Sequence, residues 1–192
     1  MKEVAIDNDF VMHLAEIDWL QEELNDKVRI LFLDIKVIPI MHELVYINEL
    51  ENGADCNNKT RALSFFSHGI MRKKEMSSFL DTNAKKKFYE IVLKEIYRDF
   101  KGDFPKGIND VFKDWRAQTS LGETHTVAMC FIIGCDLFLS DDDDSKKLAR
   151  ILENKRAFKV NVYKREEVID NFKAELKDLN KHDRRTIKHV PK

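Results

Sequence analysis

The chain has 192 residues, 43% apolar and 35% charged, with a formal net charge of −1. That supplies one substantial core and excludes an intrinsically disordered chain. The near-neutral balance excludes a chain-wide electrostatic grip on nucleic acid but leaves room for a local basic rim. Acids collect at 141–144, bases at 72–74, 85–87 and 181–192. No apolar run approaches the length of a membrane span, and an acid within three residues of the start argues against a signal peptide. Cys56, Cys130 and Cys135 lack metal-finger spacing, and an odd, sparse set suits a reducing compartment. The expectation is a cytoplasmic protein with no membrane partner.

In chain order, "EVAI" (3–6) reads as a buried first strand. Phe10, Leu14, Ile17 and Leu20 then recur at helical spacing, which predicts one helix over 10–24. Residues 27–35 fit either a helix or a strand. "KVIPI" (36–40) reads as a short strand, and Pro39 predicts an edge or an end for it. Residues 41–50 read as helix with Glu43 in its first turn, followed by a polar loop. Helix is expected over 61–80, 83–100 and 108–118, so 51–118 forms a helical layer or insertion. "SLGETHTVAMCFIIG" (120–134) is a helix with Glu123 in its opening turn and Gly134 at its end. Strand "CDLFLS" (135–140), helix 145–152, strand 158–163 and helix 164–179 complete the pattern. Residues 181–192 form a basic tail. The order predicts a three-layer α/β/α sandwich with a mostly parallel sheet, one domain over 1–180.

Ligand sites in such sheets lie beyond the strands' carboxyl ends. Asp7 follows the first strand, Glu43 follows "KVIPI" by three residues, and Asp141 and Asp142 follow "DLFLS". Glu123 joins them from the start of its helix. Gathering carboxylates raises their pKa values and destabilises a site, unless a hard divalent cation such as Mg²⁺ or Mn²⁺ offsets the charge. Each acid alone also reads as an N-cap or a surface charge. Asp143 and Asp144 read as acids favourable to the next helix dipole. His13, His42 and His125 read as structural, which disfavours zinc. Trp115 and Phe104 fit core packing better than stacking on bases.

Taken together, "VAIDNDFVMHL", "IPIMHELVYI" and "SLGETHTVAMCFIIGCDLFLSDDDDSKKLA" resemble the acidic motifs of the PIN-domain family, metal-dependent ribonucleases that include many toxins of toxin–antitoxin pairs. The resemblance implies a PIN-like sheet, one or two Mg²⁺ or Mn²⁺ ions, and Asp7, Glu43, Glu123 and Asp141 or Asp142 as ligands. Its toxin-like pattern of hydroxyl, any residue, Asp favours Asp142. A branch with a Gly-Glu opening favours Asp141. Asp9 falls at a second-shell position and Ser140 on a hydroxyl residue near the fourth acid. Two departures are the longer 51–118 stretch and a glutamate where the third acid is commonly Asp.

The implied activity is hydrolysis of RNA phosphodiesters, with an antitoxin or other regulatory protein and a homodimer as expected partners. Arg72, Lys73, Lys74, Lys146, Lys147 and Arg150 are candidate RNA contacts, with Lys85, Lys86 and Lys87 beside them. A structure-specific DNA nuclease and a catalytically inactive PIN-like interaction module are the competing readings.

Overall fold

A computed structural model describes residues 1–53, 57–116 and 119–189. Five strands form one parallel sheet: β1 (Lys2–Ile6), β2 (Val37–His42), β3 (Arg72–Lys74), β4 (Leu137–Leu139) and β5 (Asn161–Tyr163), in the order β3-β2-β1-β4-β5. The expected α/β/α sandwich is what forms.

Strand alternation divides the core into two layers. Val4, Ile6, Val37, Met41, Leu137 and Leu139 face one side. There they pack with α1 (Asn8–Ala15), α2 (Gln21–Asp34), α4 (Asn57–Ser67), α9 (Arg165–Asn171) and α10 (Lys181–Lys188). Ala5, Ile40, Phe138 and Val162 face the other side, against α6 (Asn83–Lys101), α7 (Leu121–Ile133) and α8 (Asp143–Arg156). Two short elements remain, α3 (Glu43–Val45) and α5 (Met76–Phe79), with a π-helix at Tyr46–Glu51 continuing α3. No helix among the described residues is long and apolar enough to cross a membrane.

Several expectations need correction. The stretch 10–24 is not one helix: the chain turns at 16–20, burying Ile17 but leaving Leu20 81% exposed, so Leu20 never belonged to an apolar stripe. Residues 27–35 are helical, within α2. Residues 72–74, read as helical, are an edge strand whose basic side chains suit an edge. Residues 51–118 therefore contribute a strand to the sheet and helices to both layers, rather than a separate helical cap.

Pro39 sits on an interior strand, not an edge. The Lys36 carbonyl accepts from Lys2 N–H, so even-numbered residues of β2 face β1 and Pro39 faces the β3 side. Pairing with β3 begins only at Ile40, so Pro39 interrupts no ladder bond there.

Residues 108–116 form turns rather than a helix. Asp114 Oδ2 accepts from Asn109 N–H and Asp110 N–H, and Asp110 Oδ1 accepts from Phe112 N–H. These side chains give the backbone an alternative to the helical ladder. Residues 117 and 118 of that expected helix lie outside the described residues, as does Cys56. The helix expected over 164–179 ends at Asn171. Beyond it Leu176 and Leu179 fold into the core, and Asp34 takes the Asp178 N–H. The basic tail, to His189, is not loose. Asn180 caps α10 by accepting from Asp183 N–H, Ile187 is fully buried, and Asp183 receives Lys27 at 2.6 Å.

Candidate metal centre

The sheet order reverses between β1 and β4, because the chain moves outward through β2 and β3 before returning to pair β4 with β1. Asp7 follows β1 and Ser140–Asp142 follow β4, so both flank this switch point at the carboxyl edge. Helix α7 leads into β4 and begins at the same edge, which brings Glu123 there.

Asp7 is 2% exposed and occupies the N-cap position of α1, yet its side chain caps no backbone amide. It accepts instead from Ser140 Oγ at 3.1 Å. Ser140 is fully buried, lies 2.8 Å from Ser145 Oγ and accepts from Asp142 N–H at 3.2 Å. One hydroxyl thus ties Asp7 to the loop after β4. Burial pushes the Asp7 carboxyl well above its ordinary range, with further repulsion from Glu49 and Asp9.

Glu49 is the acid that sequence reasoning missed. It sits in the π-helix, half-buried, and is pushed up to about 8 by burial and by the Glu123 and Asp9 carboxylates. Its carboxylate lies against α7 at Gly122: a Cβ there would meet Glu49 Oε1 at 2.3 Å. The absent side chain of Gly122 therefore admits Glu49 beside Glu123. Glu123 is itself pushed up to about 8, first by burial, then by Asp7 and Asp142. Asp9 is exposed over much of its surface. The protein around its carboxyl raises its pKa, His13 pulls it down, and Asp142 and Asp141 raise it further.

The four aspartates of the 141–144 run have four different jobs. Asp142 Oδ1 accepts from Asp144 N–H at 2.8 Å, capping α8, while its charge acts on Glu123 and Asp9. Asp141 is clamped elsewhere: Oδ2 accepts from Arg165 Nε at 2.5 Å and meets His13 Nδ1 at 2.7 Å, and Oδ1 accepts from Arg165 N–H. These partners hold its carboxyl below the ordinary value despite burial. Asp143 pairs with Lys164, and Asp144 with Lys147, Lys101 and Ser120.

Glu43 does not join the group. Its Oε2 accepts from Met76 N–H at 2.8 Å, at the start of α5, and its charged neighbours are Glu75 and Lys73. Asp141 stands next to the group but spends its oxygens on Arg165 and His13. The set brought together is therefore Asp7, Asp9, Glu49, Glu123 and Asp142. Among the described residues none of these five has a lysine or arginine ion pair, unlike their neighbours Asp141, Asp143 and Asp144. As the side chains stand, no three His, Cys, Asp or Glu residues among those described are grouped to hold a metal ion.

Five of the nine residues of the expected basic rim are paired with acids, while Arg72, Lys86, Lys87 and Arg150 are exposed and have no ion pair among the described residues. Lys73 pairs with Glu75, Lys74 with Glu3, Lys85 with Asp81, Lys146 with Glu167 and Lys147 with Asp144. Arg150 is exposed on α8, lining a shallow groove beside β5. The histidines are structural, as expected. His42 Nδ1 accepts from Leu44 N–H, and both His42 and His125 reach the buried Tyr89 hydroxyl, at 3.0 and 2.7 Å. Trp115 stacks on His125, and Phe104 packs edge-on to Tyr97.

No protein-family model, no curated protein and no solved structure matches this chain.

Proposed function

We propose that the protein is a Mg²⁺- or Mn²⁺-dependent endoribonuclease whose acidic centre resembles that of PIN-domain enzymes, with Asp7, Glu49, Glu123 and Asp142 as the ion-holding residues. The observation that carries this reading is the gathering, at the switch point, of carboxylates that have no lysine or arginine ion pair among the described residues: Asp7 is buried, and Glu49 and Glu123 are pushed up to about 8 by burial and by neighbouring carboxylates. Such an arrangement is costly unless positive charge arrives from outside the chain.

The donor set fits a hard divalent cation, since all donors are carboxylate oxygens and no imidazole or thiolate is among them. As they stand these carboxylates do not form a three-ligand group among the described residues, so holding an ion would require side-chain rotation among them. Bound there, the ion would supply Lewis acidity toward a phosphodiester and an activated water. The chain's own residues do the rest. Ser140 holds Asp7 in one orientation through its hydroxyl. The α8 cap fixes one oxygen of Asp142 and leaves the other for the centre. Asp9, at the exposed side, is placed to accept a proton or orient solvent. Asp141, locked by Arg165 and His13, fixes the loop that presents Ser140 and Asp142, which makes it a positioning residue.

Cleavage of a labelled single-stranded RNA, with and without Mn²⁺, tests the reading. Asp7→Asn, Glu49→Gln and Glu123→Gln should each lower the rate by at least ~100-fold. Glu43→Gln should leave it within about threefold. Metal-independent cutting, or cutting indifferent to Asp7→Asn, removes the proposal. A non-catalytic interaction module is the second reading, favoured because no three-ligand group stands ready among the described residues; absence of both Mn²⁺ binding and cleavage of RNA or DNA would select it.

A further inference from the structure

Beside the acidic centre lies a cavity of about 580 Å³, lined by the carboxylates of Asp9, Asp141, Asp142, Asp143 and Glu166 and by His13, Lys164, Arg165, Lys188 and His189; Asp141 and Asp143 are the acids already paired with Arg165 and Lys164. It is bounded by α1, the loop after β4, α9 and the end of α10. Arg165 is 7% exposed, and among the described residues its buried Nη1 has no hydrogen-bond partner, while its Nε holds Asp141. A guanidinium nitrogen in that condition is costly in a finished fold.

The two lysines are differently placed. Lys164 pairs with Asp143 and Lys188 with Asp170, but those aspartates are 71% and 60% exposed. Exposed pairs of that kind contribute little, so either lysine can exchange its partner for another anion. The groove thus combines an unsatisfied buried donor, two exchangeable cations and direct continuity with the centre proposed above.

We propose that this groove is a backbone-phosphate subsite that seats the RNA strand next to the scissile position, Lys164 and Lys188 contacting the phosphate and Arg165 supporting them. It rests on the nuclease reading for its purpose but not for its test. The acidic centre repels a polyanion, and a strand reaching it needs a cationic foothold within one or two nucleotides. The lysines at 73, 74, 146 and 147 also pair with acids, and none of them lines this cavity. The arginine and lysines around the cavity sit where that foothold is needed, and Arg165 is the one whose donor goes unused.

Binding of a fluorescein-labelled 12-nucleotide single-stranded RNA to the full-length Asp7→Asn chain in Mg²⁺, followed by anisotropy across a salt series, decides the matter. Lys164→Glu and Lys188→Glu should each weaken binding about tenfold. The pair should flatten the log–log salt slope by about 1.4, the value for two phosphate contacts on a single strand. Lys164→Gln and Lys188→Gln should act in the same direction but less, and Lys155→Glu, beside Asp99 on the opposite layer, should change nothing. Circular dichroism confirms that each variant is folded. An unchanged Kd and slope, or no measurable binding by the Asp7→Asn chain, overturns the subsite. Lysine-dependent binding in a chain that never cleaves keeps the subsite and overturns the nuclease; cleavage with lysine-independent binding does the reverse.

Discussion

At the scale of single residues, Gly122 is the position on which the candidate centre turns. Its missing Cβ leaves room for the Glu49 carboxylate, and a methyl group would stand 2.3 Å from Oε1. Because the obstructing atom is the end of a flexible side chain, Gly122→Ala should displace Glu49 rather than unfold α7. The expected outcome is a thermal midpoint within about 3 °C of the parent and a loss of Mn²⁺-dependent cleavage of at least ~10-fold, read in paired melting and cleavage assays. Asp7 and Glu123 were legible from the sequence because each directly adjoins a recognisable element end: strand "EVAI" and the helix opening "SLGE". Asp141 and Asp142 were placed at that edge for the same reason, while Ser140 and the preference for Asp142 came from the family resemblance alone. Glu49 was not, because its placement depends on a π-helix, and nothing in "YINELE" announces a wider turn. Glu43 was favoured because it follows strand "KVIPI" by three residues, but its carboxylate accepts from the Met76 amide. The roles of His13 and Arg165 were equally hidden, since the contact between Asp141 and His13 joins residues 128 apart.

Elements were readable where local chemistry and packing agree. Helix α6 has the Thr82 cap, accepting from Lys85 N–H, and Gly102 at its end; β1 and β4 are short apolar runs. Elements were misread where a side chain outbids the backbone ladder, as Asp110 and Asp114 do before α7, or where a turn buries one apolar residue and exposes the next, as at Ile17 and Leu20. The capping signal of α10, Asn180 with Asp183 three residues on, was present but obscured by the surrounding basic residues. Helix α8 closes on Ala157 with φ +50°, a left-handed residue carrying a Cβ, its N–H bonded to the Glu153 carbonyl. Ala157→Gly removes that steric strain while keeping the bond. It should raise unfolding free energy by about 1 kcal/mol, measured as a higher urea midpoint at constant m-value.

For the whole molecule, the centre's electrostatics make stability depend on pH. Glu49 and Glu123 have folded pKa values near 8, far above the unfolded value, so between these limits the folded state binds more protons. Their contribution to stability is present at low pH and is lost as pH rises through about 8. The buried His42 and His125 are shifted down and act oppositely below about pH 6.5, which leaves the window from about 6.5 to about 8.5 for the carboxyls. Cys135, drawn down to about 7 chiefly by Cys130, opposes them within it. Comparison with Glu49→Gln and Glu123→Gln cancels that thiol. In chelator, the melting temperature should fall by several degrees across the window and fall less in either variant. Millimolar Mg²⁺ or Mn²⁺ at about pH 8 should restore it by mass action.

The pairing of β1 with β4 has a consequence in time. Asp7 and the hydroxyl that orients it are 133 residues apart. A nascent chain leaving the ribosome from its amino end therefore has its first strand long before it has the neighbour that completes that side of the sheet. Until residue 142 has emerged and docked, Asp7, Asp9 and Glu49 lack the crowding that Glu123 and Asp142 add. A chain that has not yet released residue 142 lacks Ser140 and Asp142, so the centre is incomplete until that segment pairs with β1.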